Sequence, residues 1–280
     1  MTASEGKRSL LTEDDLRRVG DILYRSTGMT FGENKRYYIE RRLADRVAKS
    51  GATSTASYLL SLPANPPEIE SLINAFTINE TYFYREEHQL KALSRSILPE
   101  IVRGRRPGDL VRIWSMPCSS GEEPYSIAIW LLENWAMVDA WHIEIVGSDI
   151  DTSALEQAQA GLYGERALSR LPANVRDRYF GPIRGYQRAI IADIKESVEF
   201  HHANLIDKVS MVRQAKFDVI FCRNLLIYFD ERSREVAAER LFDALNPGGF
   251  LCLGHTESMA RISDRFELVR FEDAIVYRRP

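Results

Sequence analysis

Cysteine is scarce: Cys118, Cys222 and Cys252 are the only three in 280 residues, and no two form a CxxC pair. That excludes a disulfide scaffold and a thiolate zinc site, and it fits a reducing cytosol. Histidine is nearly as sparse, at five, with no metal-ligand spacing. His201 and His202 sit together in a strand-like run, so their side chains point to opposite faces and cannot share one ion. No metal is expected. No apolar run approaches the roughly 18 residues needed to cross a bilayer. The start, MTASEGKRSLLTEDD, lacks the apolar core of a signal peptide. A cytoplasmic protein without membrane insertion is the expectation. A basic excess is missing too. Lys and Arg number 37 against 40 Asp and Glu, a formal net charge of −3, with a pI near 6.0. That balance argues against a nucleic-acid partner. Internal repeats, low-complexity tracts and a GxGxxG fingerprint are also lacking.

What is present is ordinary for a globular chain of one or two domains: 45% hydrophobic and 28% charged residues. The first 95 or so residues read as helical. Thr12 with Asp15 makes a capping-box start, and Gly28 is placed to stop that helix. A second helix is expected over 33–50 and ends at Gly51. Shorter ones follow near 54–61 and 67–76. After Pro99 strands and helices alternate. Strand-like runs lie at 110–115, 143–149, 198–205, 217–224, 250–254, 266–271 and 274–279, with helices at 121–135, 152–160 and 231–245. Repeated βα units imply a parallel sheet covered on both faces, hence an α/β fold. The last two strands are joined so tightly that they must pair antiparallel. More than 30 residues separate the helix ending near Gly161 from the strand at Val198, too many for a bare loop. A helix plus a small antiparallel β insertion, about 162–197, is expected there.

Four segments carry candidate chemistry. In WSMPCSSGEEPYS (114–126), Ser119, Ser120 and Gly121 allow close backbone approach before a helix N-terminus that favours anionic groups; a plain tight turn explains the pattern as well. Asp149 ends the second strand, where a carboxylate accepts from ribose hydroxyls. It is otherwise a helix cap, a task Asp151-Thr152 performs unaided. In FCRNLLIYF (221–229), Asn224 leaves a strand on the ligand-binding side, and Tyr228 is either a site residue or a core aromatic. In INETYFYRE (78–86), Asn79, Thr81 and Arg85 are polar groups in an aromatic-rich linker.

The runs GEEPYSIA (121–128), SDIDTSALEQAQAGLY (148–163), FDVIFCRNLLIYFD (217–230), NPGGFLCLGHTES (246–258) and NETYFYRE (79–86) resemble the chemotaxis receptor methyltransferase (CheR) family, in order, from about residue 12 to 278. The resemblance implies a class I S-adenosylmethionine-dependent methyltransferase domain, Rossmann-like, over 91–280. It also implies a small antiparallel β-subdomain and an all-helical N-terminal receptor-docking domain with linker over 1–90. By motif position, Asn79, Thr81, Arg85, Glu122, Asp149, Asn204, Leu205, Arg223 and Asn224 look like contacts of S-adenosylmethionine, with S-adenosylhomocysteine as product. Arg85 and Tyr228 look nearest the transferred methyl. Met116-Pro117 departs from the small residues usual in relatives.

The implied reaction is esterification of glutamate side chains on the cytoplasmic helical region of chemoreceptors. A glutamate carboxylate, with a pKa near 4.3, is already ionised and needs no general base. Lys35, Arg42, Arg46 and Lys49 recur at offsets that share one helix face. Such strips are usually solvated, but in the family this helix docks on receptors. In some relatives the β insertion binds a receptor's C-terminal peptide. Other readings are a methyltransferase with another substrate and a non-catalytic cofactor-binding adaptor.

Overall fold

The computed structural model describes residues 11–32, 35–212 and 216–280. The chain forms two compact units, Met1–Ile78 and Asn79–Pro280. Helices of the first unit are α1 (Glu13–Thr27), α2 (Arg36–Ser50), α3 (Thr55–Ser61) and α4 (Pro66–Phe76). The α1 start is the predicted capping box. Asp15 N–H donates to Thr12 Oγ1, and Thr12 N–H donates to the Asp15 carboxylate, both at 3.1 Å. Gly28 and Gly51 end α1 and α2 at φ +72°, a conformation glycine adopts without strain. Leu23, Leu43, Tyr58, Leu72 and Phe76 fill the core between the helices.

The boundary falls after Ile78, not near residue 90. Residues expected to act as a linker are built into the second unit. Phe83 N–H donates to the Ala167 carbonyl at 2.9 Å. The Phe83 ring packs edge-on against Tyr163 and Phe180, at centroid separations of 4.8 and 5.1 Å. Tyr84 packs the same way against Trp130 at 5.3 Å. Fully burying such rings is worth roughly 1.5–3 kcal/mol each, enough to hold an irregular segment in place. From there α5 (Glu87–Ala92) runs through a π-helical turn, Leu93–Ile97, into α6 (Leu98–Val102).

The second unit's strands are β1 (Leu110–Ser115), β2 (His142–Asp149), β3 (Leu162–Gly164), β4 (Gln187–Ala189), β5 (Val198–His202), β6 (Phe217–Cys222), β7 (Leu245–Leu253), β8 (Glu267–Arg270) and β9 (Ile275–Arg278). Between them lie α7 (Glu122–Asn134), α8 (Thr152–Ala160), α9 (Glu165–Leu168), α10 (Ala173–Tyr179), α11 (Ala192–Glu196), α12 (Lys208–Val212) and α13 (Glu231–Ala244). Seven strands form one sheet in the order β5-β2-β1-β6-β7-β9-β8. The first five are parallel, and β9 runs antiparallel to both β7 and β8. This is the class I methyltransferase layout expected from the sequence. Buried Val111, Ile113, Ile145, Val219, Phe221 and Phe250 form its core with Tyr125, Ile129 and Trp130 of α7.

The chain turns from one half of the sheet to the other between β1 and β6. Such a switch point opens a crevice at the carboxyl ends of the strands. Ser115 ends β1 in register with Gly147 of β2 and Phe221 of β6. The insertion is a two-stranded antiparallel sheet of β3 and β4, with α9 and α10 between the strands. The segment 246–249, between the expected helix and strand, belongs to a β7 that begins at Leu245.

Candidate active site

The loop after β1 is laid down by its neighbours. Met116 N–H donates to the Phe221 carbonyl and Cys118 N–H to the Ser148 carbonyl, both at 2.9 Å. Ser119 then takes φ +48° and Gly121 φ +92°. A Cβ on Gly121 would lie 2.9 Å from the Ala158 Cβ and 3.0 Å from the Tyr163 hydroxyl. Only glycine fits both the angle and the space. Helix α7 starts at the next residue. Its first side chain, Glu122, is buried and accepts from the Ser120 hydroxyl at 2.8 Å. Burial pushes the Glu122 carboxyl above its usual range, and the Ser120 bond opposes that.

Asp149 ends β2 facing this loop. One of its oxygens accepts from Ser119 N–H at 2.7 Å, the other from Asp151 N–H at 2.9 Å. Burial pushes its carboxyl up to about 6, against the pull of those two N–H groups. Helix α8 is capped by Asp151, which accepts from Ala154 N–H at 3.0 Å. Asp149 is therefore not the cap. Each carboxylate oxygen has two lone pairs, so Asp149 keeps acceptor capacity. Asn79 donates to the other oxygen of Asp151 at 2.6 Å, which ties the start of the unit to this corner. After β5, Ala203 N–H donates to the Asp149 carbonyl at 3.0 Å. Asn204 and the buried Leu205 follow, with Ile206 N–H donating to the Asn204 side chain at 3.2 Å.

Past β6 the chain departs from expectation. The Arg223 side chain is 3% exposed and turned into the protein. It donates to Glu123 at 2.8 Å and to the Arg85 carbonyl at 2.7 Å, and it lies 3.3 Å from Glu86. Its guanidinium is committed to two mostly covered carboxylates and a carbonyl, which leaves only its main chain open to a ligand. Burial raises the Glu123 carboxyl despite Arg223. Burial acts on Glu86 too, but Arg223 and His255 outweigh it and hold that carboxyl below its usual range. Asn224 has φ +59°, and Tyr228 is half-buried at the end of a single 3-10 turn, Leu226–Tyr228. Burial raises the Tyr228 phenol, and the positive charge of Arg85 works against it. Arg85, half-buried, donates to the Glu80 carbonyl at 2.8 Å and sits over the Tyr82 ring at 5.9 Å. Thr81, four residues earlier, is half-buried too.

These groups fit S-adenosylmethionine. The buried Ser119 hydroxyl has no hydrogen-bond partner within the protein, on a residue whose N–H donates to the buried Asp149 carboxylate. Orphaned polar atoms of that kind call for an external partner. Tyr84, Glu86, Ser119 and Asn224 all hold positive φ without being glycine, and such strain gathers at functional sites. Glu86, Glu123, Asp151 and Glu257 all lie inside the motif runs, but only the structure shows what each one bonds.

In the first unit the predicted basic strip is not an open one. Arg46 makes a bidentate pair with Glu68, at 2.6 and 2.7 Å, and Tyr58 donates to the same carboxylate at 2.7 Å. Arg42 donates to the Ala75 carbonyl at 2.6 Å and covers the Tyr38 ring at 4.9 Å. Both face α4, since a long aliphatic stem lets arginine pack while its head finds a partner. Lys35 is half-buried at the start of α2, and Lys49 is exposed. The exposed side of α2 carries Tyr37, Arg41, Ala44 and Ala48 instead.

Two family models cover the chain: "CheR methyltransferase, all-alpha domain" over residues 14–77 and "CheR methyltransferase, SAM binding domain" over residues 79–275. Chemotaxis protein methyltransferase 2 of Vibrio cholerae is 45% identical, across 97% of this chain and 94% of that protein. The chemotaxis protein methyltransferase of Salmonella typhimurium is 37% identical, across 94% and 90%. Chemotaxis protein methyltransferase 2 of Pseudomonas aeruginosa is 36% identical, across 95% and 93%. With both models matched in order and the cofactor-type site in place, this chain belongs to the CheR family of S-adenosylmethionine-dependent methyltransferases.

Proposed function

We propose that the protein methylates glutamate side chains on the cytoplasmic helical region of chemoreceptors, in the cytoplasm, and so forms glutamyl methyl esters for sensory adaptation. The observation that carries this reading is the match of both CheR models in order, over residues 14–77 and 79–275, in a chain whose relatives bear the chemotaxis name. S-adenosylmethionine supplies an activated methyl group on a sulfonium sulfur. Asp149, Glu122, Asn79, Thr81, Asn204 and Leu205, with the main chain of Arg223 and Asn224, are the groups assigned to hold it. Arg85 holds a carboxylate in a geometry that guanidinium matches. Tyr228 offers a hydroxyl donor on one side and a ring face for positive charge on the other. Fixing the acceptor oxygen in line with the methyl supplies roughly 7–11 kcal/mol of barrier reduction.

Receptor docking is assigned to the exposed side of α2, through Tyr37, Arg41 and Lys49 rather than Arg42 and Arg46. A cavity of about 630 Å³ in the β insertion, lined by Tyr163, Arg166, Arg176, Tyr186 and Arg188 among others, is assigned to a receptor C-terminal peptide. The test is transfer of tritiated methyl from S-adenosylmethionine onto receptor-containing membranes of the source organism. Label should appear on receptors and leave as methanol in mild base, as an ester does. It should be lost in Arg85→Ala and fall steeply in Tyr228→Phe. Base-stable label, or label on nucleic acid or a small molecule, overturns the reading.

A further inference from the structure

The turn that carries Tyr228 is held by one carboxylate. Glu257 accepts three main-chain N–H groups: Asn224 at 2.7 Å and Gly254 at 2.9 Å on Oε2, and Leu226 at 2.7 Å on Oε1. Gly254 directly follows β7 and Asn224 comes two residues after β6, whose paired ends put Cys222 in register with Leu253. The carboxylate thus staples two strand ends and the first peptides of the turn. It comes so close that a Cβ on Gly254 would lie 2.7 Å from its Oε2 and 2.9 Å from the Asn224 side chain. Leu226 is held through the following peptide too. Its carbonyl accepts from Phe229 N–H at 3.2 Å and from Arg234 Nε at 2.9 Å. The Leu225–Leu226 peptide is bonded at both ends, its N–H to Glu257 and its Leu225 carbonyl to Tyr228 N–H at 3.0 Å, so it cannot rotate freely, and Tyr228 lies two residues beyond Leu226.

We propose that Glu257 is a positioning residue for the methyl transfer, setting where the Tyr228 hydroxyl stands through the Asn224–Leu226 main chain. The proposal rests on the assignment of Tyr228 to the reaction. Glutamine is no substitute at 257. Both oxygens receive N–H donors, so either orientation of the amide turns its NH₂ against at least one of them. Aspartate is shorter by one methylene and cannot span the same three donors.

The experiment is a double-mutant cycle on receptor methylation, with kcat and receptor KM measured for Glu257→Gln, Tyr228→Phe and the pair. Glu257→Gln should lower kcat about 10–100-fold, as small misplacements in a site do, with receptor KM unchanged. In the Tyr228→Phe background the same change should cost less than about threefold, since the group it positions is gone. Should Glu257→Gln fail to fold, Gly254→Ala replaces it in the cycle, because the added methyl presses on the same oxygen while leaving the charge. Multiplicative losses, or a wild-type kcat in both Glu257→Gln and Gly254→Ala, overturn the proposal while leaving the Tyr228 assignment standing. A wild-type rate in Tyr228→Phe alone overturns both.

Discussion

The guanidinium of Arg223 donates to the main-chain carbonyl of Arg85 at 2.7 Å. One arginine thereby fixes the backbone of the other. Two carboxylates, Glu123 and Glu86, also flank Arg223. Removing one partner of a buried pair costs about 3–5 kcal/mol, because the other charge is left unpaired. Arg223→Met should therefore lower the unfolding midpoint strongly. Arg223→Met with Glu123→Gln should recover part of the loss. Tryptophan fluorescence reads this cleanly, since Trp114, Trp130, Trp135 and Trp141 all lie in the second unit. An unchanged midpoint in Arg223→Met would remove the ion cluster from the stability of the fold.

Cofactor affinity should depend on pH through Asp149. Its folded carboxyl, pushed up to about 6 from an ordinary 3.8, is easier to protonate than in the unfolded chain. The stability it contributes is complete below the unfolded value and is lost as pH rises through about 6. The ionised form is the better acceptor for ribose hydroxyls, so binding of S-adenosylhomocysteine should strengthen over the same interval. Asp149→Ala should abolish that dependence and weaken binding by about 1.5–3 kcal/mol per charge-assisted bond lost. Calorimetry from pH 5 to 8 tests it. A flat wild-type profile, or equal affinity in a folded variant, takes Asp149 out of the site.

The two sides of α2 should respond differently to charge reversal. Arg46→Glu sets a second carboxylate against Glu68, in a pair that is largely buried. It should unfold helix in the first unit, a loss read by circular dichroism. Arg41→Glu with Lys49→Glu alters only exposed positions and should leave the dichroism unchanged. Its effect should be a higher apparent KM for receptor. The wild-type KM should also rise with salt, since exposed charges are screened over a Debye length of about 10 Å at 0.1 M. Equal receptor kinetics for the two proteins across a salt series would move docking off α2.

Much of this architecture is legible in the chain because its signals are local. The Thr12 box, the glycines closing α1 and α2, the strand runs and the terminal hairpin each need only a few neighbouring residues. Asp149 was recognisable because a strand end and a separate cap at Asp151 stand side by side in the sequence. What stayed hidden depends on partners far apart. Arg223 meets Glu123 across 100 residues and Arg85 across 138. Helix α2 carries Arg36, Arg41, Arg42, Arg46 and Lys49 around much of its circumference. Periodicity finds the faces but cannot tell which cations a neighbouring helix will claim. Phe83 and Tyr84 read as linker aromatics because their burial depends on Tyr163, Phe180 and Trp130.

Strand β9 lies between β7 and β8 although it follows both in the chain. During synthesis β8 leaves the ribosome first, yet it can join the sheet only through β9. Until then the β7 edge stands open, with unpaired main-chain groups that would accept any stray strand. A chain cut after Arg270 would lose two strands rather than one: β9 outright, and β8 because nothing would attach it. The last stretch of the sequence is thus the clasp that closes the sheet, and translation must reach it before that edge is protected.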